Sequence, residues 1–82
     1  MKRTHKESGI TIETSVIFYE EIRKYSPGVV LINPQGMKTN RMAPNPAMYS
    51  NEKEAEEASF EIGKRILSTH LSGEEKLYFD QN

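Results

Sequence analysis

The chain has 82 residues, 35% apolar and 28% charged, with a formal net charge of -1, a mean hydropathy of -0.71 and no cysteine. That length accommodates one domain and leaves no room for a cofactor domain beside a substrate domain, since domains cluster near ~100 to 150 residues. The lack of thiols excludes disulfide frameworks, thiolate zinc sites and cysteine catalysis, and the composition is not the low-hydropathy, high-net-charge mixture of a disordered chain.

A chain this short buries only roughly 60% of the surface its unfolded form exposes, so one small core must hold it. The longest apolar runs, Val16 to Tyr19 and Val29 to Ile32, are four residues each. Crossing a bilayer takes ~20, and no apolar leader follows the basic start. The expectation is a soluble, cytoplasmic protein without a membrane partner.

In chain order, residues 1–8 are polar and read as a flexible tail. From Gly9 the apolar and β-branched residues Ile10, Ile12, Thr14 and Val16 fall on alternate positions, the two-residue period of a strand with one buried face. Residues 15–25 fit two descriptions. Phe18, Ile22 and Tyr25 recur at helical spacing, with Ser26-Pro27-Gly28 as a stop. The run Val16-Ile17-Phe18-Tyr19, whose members each lose rotamer freedom in a helix, favours a strand. Val29 to Ile32 suits a central strand covered on both faces. Asn33-Pro34-Gln35-Gly36 matches a type I turn, after which Met37 to Met42 would pair back. Pro44 and Pro46 make residues 43–50 an extended connection or edge segment.

A helix then opens, with Asn51 as cap and Glu54 three residues on, and it stops at Ser72-Gly73. That span is about 19 residues, near 28 Å. Ala55, Ala58, Ser59, Ile62 and Ile66 define its apolar stripe, Phe60, Leu67 and Leu71 flank it, and Glu54, Glu57, Glu61 and Arg65 lie opposite. Gly63, inside this helix, costs about 1 kcal/mol relative to Ala and points to a close approach of helix to sheet. Residues 74–82, with Leu77-Tyr78-Phe79, form a tail or a short added strand.

The stretches Gly9 to Val16, Tyr49 to Ala58 and Ile62 to Leu67 together resemble a recurring type of small bacterial protein of unknown function, in which a short antiparallel sheet precedes one acid-rich, alanine-spaced helix. The resemblance implies a fold without an activity. The chain departs from that type in its Pro- and Asn-rich stretch from Asn33 to Asn51.

Residues 22–51 carry four bases, Arg23, Lys24, Lys38 and Arg41, and no acid, whereas residues 52–82 carry four bases and eight acids. Clustered cations attract phosphate-bearing partners, but the same charges also serve as ordinary solubilising groups. The segment 33–51 adds side-chain amides, Met37, Met42, Met48 and Tyr49. It fits a connecting loop whose methionines fill the sheet margin, an adaptable protein-binding surface, or a phosphate-holding loop in which Asn40 and Tyr49 assist Lys38 and Arg41.

The two histidines offer little chemistry: His5 lies in the expected tail and His70 in the last helical turn, where a cation favours the dipole. Neighbouring carboxylates, Glu20 with Glu21 and Glu56 with Glu57, do not face one another and read as solvated. No nucleophile elbow, phosphate loop, dinucleotide fingerprint or metal-ligand spacing occurs, so no cofactor, metal or enzymatic activity is expected.

The fold expectation is α+β: a three- to four-stranded antiparallel sheet with one long C-terminal helix packed on one face, within a single domain over residues 9–73. The function expected is a small non-enzymatic interaction module, binding a protein partner or itself as a homodimer through the open sheet face, an edge or the 33–51 loop. The candidate surface is Arg23, Lys24, Lys38, Asn40, Arg41, Met42 and Tyr49. The alternative is a nucleic-acid-binding protein using residues 22–51, whose affinity would fall steeply with salt.

Overall fold

From Thr4 the chain builds a hairpin that the polar sequence conceals. Ser8 (φ 54°) and Gly9 (φ 81°) both take left-handed backbone angles, the requirement of a two-residue type I′ turn, whose twist matches that of the flanking strands. Strand β1 (Thr4–Glu7) therefore folds back on β2 (Ile10–Thr14), with Glu7 opposite Ile10. A computed structural model describes residues 4–44, 47–73 and 77–80. Within it, residues 4–7 of the expected tail form a paired strand, and the His5 ring sits edge-on to Phe60, with centroids 5.6 Å apart.

Strand β5 (Val29–Ile32) pairs antiparallel with the other side of β2, giving a three-stranded sheet of order β1-β2-β5. Ile10, Ile12 and Thr14 of β2 and Val29 and Leu31 of β5 are buried, while the alternate residues are half-buried. The apolar run 29–32 is thus not the central strand expected: β2 is central, β5 is the last strand of the three, and its second face is only partly covered. The turn after it forms as the sequence predicts: the Gly36 N–H donates to the Asn33 carbonyl at 2.9 Å, and Asn33 Oδ1 accepts from the N–H groups of Gln35 and Met37.

The returning chain adds to the outer edge of β5. Ile32 faces Lys38 and Val29 faces Met42, so four residues of β5 are matched by five of the return. The extra residue is a β-bulge, and Arg41 lies within it. Farther out, Asp80 pairs with Lys38 through bonds of 2.8 and 3.2 Å, and Leu77 and Phe79 pack against the core. The expected C-terminal tail or added strand is thus represented by one paired residue, and residues 74–76 and 81–82 of that expectation lie outside the described residues.

Helix α1 (Glu52–Leu71) begins where Asn51 Oδ1 accepts from the N–H groups of Lys53 and Glu54, at 2.8 and 3.2 Å. These are two of the four donors a helix start leaves without partners. Its buried face comprises Ala55, Glu56, Ser59, Ile62, Gly63 and Leu67. That face is turned about one residue from the stripe read in the sequence: Ala58 and Ile66 are half-buried, and Leu67 moves from the flank to the core. Glu56 corrects a second expectation. It is 4% exposed, and its Oε1 accepts a hydrogen bond from the buried Thr14 hydroxyl. Gly63 does mark a close approach, since a Cβ there would lie 2.5 Å from Ile12 Cγ2 and 2.9 Å from Val29 Cγ2.

Residues 15–25 form no helix. They make β3 (Ile17–Tyr19) and β4 (Lys24–Ser26), an antiparallel pair that constitutes a second, two-stranded sheet. The run of β-branched and aromatic residues decides for strand, as expected. The reversal at Glu20–Arg23 had no Gly, Pro or Asn to announce it. Arg23 supplies the left-handed residue (φ 53°), and its N–H donates to the Glu20 carbonyl at 3.3 Å.

Candidate functional site

The β3–β4 hairpin presents the largest apolar exposure among the described residues. Ile17, Phe18, Tyr19 and Ile22 are 39%, 45%, 40% and 55% exposed. In an antiparallel pair, successive residues aim their N–H and C=O groups alternately toward one neighbour and then the other. Tyr25 exchanges both of its backbone bonds with Tyr49, at 2.7 and 2.9 Å. Strand β4 must therefore bond β3 through Lys24 and Ser26, whose partners are Tyr19 and Ile17. Phe18, opposite Tyr25, is left aiming its N–H and C=O at the open edge. No described residue pairs with that edge.

Side chains of this short strand are apolar on both faces. The Phe18 ring lies against that of Tyr25, with centroids 4.7 Å apart, on one face; Ile17 and Tyr19 occupy the other. Met48, next in the chain to Tyr49 of the Tyr25–Tyr49 bridge, is 40% exposed.

The basic segment is not gathered into one surface. Arg23 is exposed at the hairpin tip, whereas Lys24 is half-buried and its Nζ donates to Ser50 Oγ at 2.9 Å. Lys38 is exposed beside Ile32, at the end of β5 away from β4, with exposed Asn40 nearby in the chain. Arg41 turns inward: its Nε donates to the Ser15 carbonyl and its Nη2 to the Ser26 carbonyl, both at 2.9 Å. The guanidinium lies so close over Gly28 that a Cβ there would sit 2.5 Å from Arg41 Cζ. Met42 packs against the core and Tyr49 is bound to β4. Of the seven residues singled out in the sequence, Arg23 and Lys24 belong to the hairpin and Tyr49 adjoins it.

Other chemistry is sparse. A shallow groove of about 540 Å³ between residues 42–44 and the second half of α1 is lined by Met42, Pro44, Arg65, Ile66 and Thr69, and gathers a single ionisable group. Glu56 Oε2 is buried without a hydrogen-bond partner. Among the described residues no three His, Asp or Glu side chains form a metal-binding group, and no helix is long and apolar enough to cross a membrane.

The hairpin patch went unassigned in the sequence because the residues that would reveal it, Val16 to Tyr19, also read as a buried strand. Of these, Ile17 to Tyr19 are exposed because they pair with β4 in a separate two-stranded sheet. A comparison with known protein families, with characterised proteins and with solved structures found no match for the chain.

Proposed function

We propose that the chain is a small non-enzymatic interaction module whose binding surface is the β3–β4 hairpin. The observation behind this reading is the open edge at Phe18, flanked by exposed apolar side chains on both faces of β3. At roughly 200 Å² per large side chain, the exposures of Ile17, Phe18, Tyr19 and Ile22 amount to about 360 Å², within the ~300 to 600 Å² of a monomer's largest apolar patch, which is often functional. The alternative sites draw less support. The sheet face away from the helix carries Thr11, Glu13, Val30 and Ile32, all half-buried and half of them polar. Nucleic-acid binding would need Arg41, which is folded onto backbone carbonyls, and Lys38, which lies apart from Arg23 and Lys24.

The test is site-directed photo-cross-linking in the cell of origin. Benzoylphenylalanine at position 22 is expected to capture a protein, whether another chain or a second copy, while the same probe at exposed Gln35 in the far turn is not. Equal capture from both positions, or none from position 22, overturns the reading.

A further inference from the structure

We infer that the β3–β4 hairpin is a hinged flap that opens about its base while the main sheet and the helix stay folded. The inference concerns how the hairpin is held and is independent of what it binds. Continuing the register of β2 and β5 sets Ser15 opposite Gly28, and the Ser15 N–H donates to the Gly28 carbonyl at 2.8 Å. The hairpin is thus an insert, residues 16–27, between two strands that pair right up to its ends. Its base is fixed. Ser26 and Pro27 are buried, Arg41 bridges the Ser15 and Ser26 carbonyls, and the Gly28 N–H is bound by Ser59 Oγ of the helix at 2.9 Å. Because the cost of closing a loop rises only slowly with its length, the inserted residues can lose their order with little effect on the strands they join.

Above the base, apolar burial does not hold the flap shut. The core cluster draws on β2, β5, the return strand, the helix, Leu77 and Phe79, and on no residue from 16 to 27. The latch is polar. Tyr25 exchanges backbone bonds with Tyr49 at 2.7 and 2.9 Å, and Lys24 Nζ donates to Ser50 Oγ at 2.9 Å. Water replaces each of these bonds in the open form, so their net contribution is small, whereas separating the helix from the sheet would expose the buried apolar side chains of both. A two-stranded hairpin without a third strand or a covering face is also marginal in water. Release of the latch and separation of β3 from β4 therefore form one opening, well below global unfolding in free energy.

Native-state hydrogen exchange of the full chain, followed by NMR in urea below the unfolding transition, reads the opening residue by residue. The amides of Ile17 and Tyr19, which join β3 to β4, and of Tyr25 and Tyr49, which form the latch, are expected to share one opening constant. After correction for intrinsic rates they should exchange at least roughly tenfold faster than the amides of buried Leu31 and Ile62. Their common urea dependence should be the weaker one, because the opening exposes little surface. Ile12→Val separates the two routes to exchange. It weakens the core, where Ile12 is fully buried, and is expected to speed Leu31 and Ile62 by roughly two- to tenfold while leaving the four flap amides unchanged. Flap amides that match Leu31 and Ile62 in rate and urea dependence, that accelerate with them in Ile12→Val, or that each open with a different constant overturn the inference.

Discussion

Replacing Gly63 with alanine places a methyl group where helix and sheet meet most closely. The added Cβ would lie 2.5 Å from Ile12 Cγ2 and 2.9 Å from Val29 Cγ2, whereas carbon atoms in contact prefer ~3.5 to 4.0 Å. Ile12 and Val29 are both fully buried, in adjacent strands of the main sheet, so neither has space to retreat into. The helix must lift by about 1 Å or the two side chains must leave their rotamers, an overpacking cost of about 1 to 3 kcal/mol. Against it stands the helix propensity of alanine, about 1 kcal/mol better than glycine. The net expectation for Gly63→Ala is a loss of up to about 2 kcal/mol, which in a domain of this size lowers the melting temperature by up to roughly 15 °C. Thermal and urea unfolding followed by far-UV circular dichroism reads the effect. Ser68→Ala on the exposed side of the same helix serves as the propensity control and should gain a few tenths of a kcal/mol. If Gly63→Ala proves more stable than the wild type, propensity outweighs packing and the close approach of α1 to the sheet is refuted.

Further substitutions probe the polar contacts of the fold. Thr14→Val leaves both oxygens of the buried Glu56 carboxyl without a partner and is expected to cost about 2 to 3 kcal/mol in urea unfolding, whereas Thr14→Val combined with Glu56→Met should cost less than Thr14→Val alone. Asn51→Ala removes the cap accepted by Lys53 and Glu54 and should lower stability by about 1 kcal/mol in the same assay. Arg41→Met deletes the donors to the Ser15 and Ser26 carbonyls. Amide hydrogen exchange should accelerate across Ile17–Ser26, while Ile12 and Leu31 keep their protection; uniform acceleration would show that the hairpin is not held separately.

The elements legible in the sequence are those with local causes. Asn51 caps the helix and Ser72-Gly73 ends it; the alternation of Ile10, Ile12 and Thr14 makes a half-buried strand; Asn33 to Gly36 turns because Asn33 and Pro34 are built for turning. What escaped depends on partners distant in the chain. Strand β1 is polar and exists because Ser8-Gly9 folds it onto β2, a signal present in the sequence but weaker than Asn-Gly. Burial of Glu56 requires Thr14, 42 residues away, and no helical wheel contains that information. The arrangement of the candidate surface was not legible for a related reason. Charge counting shows that residues 22–51 lack acids, but the direction of each cation is set by tertiary contacts, and those turn Arg41 inward.

That inward turn connects the basic segment to the apolar patch. Phe18, Tyr19 and Ile22 are large enough to have enlarged a small core, yet they lie outside it, and the junction at the hairpin's base accounts for this. The two links that lead into and out of the hairpin, Ser15-Val16 and Pro27-Gly28, are tied together by the Ser15 N–H on the Gly28 carbonyl at 2.8 Å. Arg41 bridges the Ser15 and Ser26 carbonyls, and the Gly28 N–H is bound by Ser59 Oγ of the helix at 2.9 Å. The guanidinium occupies the position a Cβ at residue 28 would take. With both links fixed to the return strand and the helix, β3 and β4 cannot rotate into register with β2 and β5, and their apolar residues face solvent. The cation that the charge pattern offers to an anion-binding loop thus acts as a clasp at the base of the hairpin.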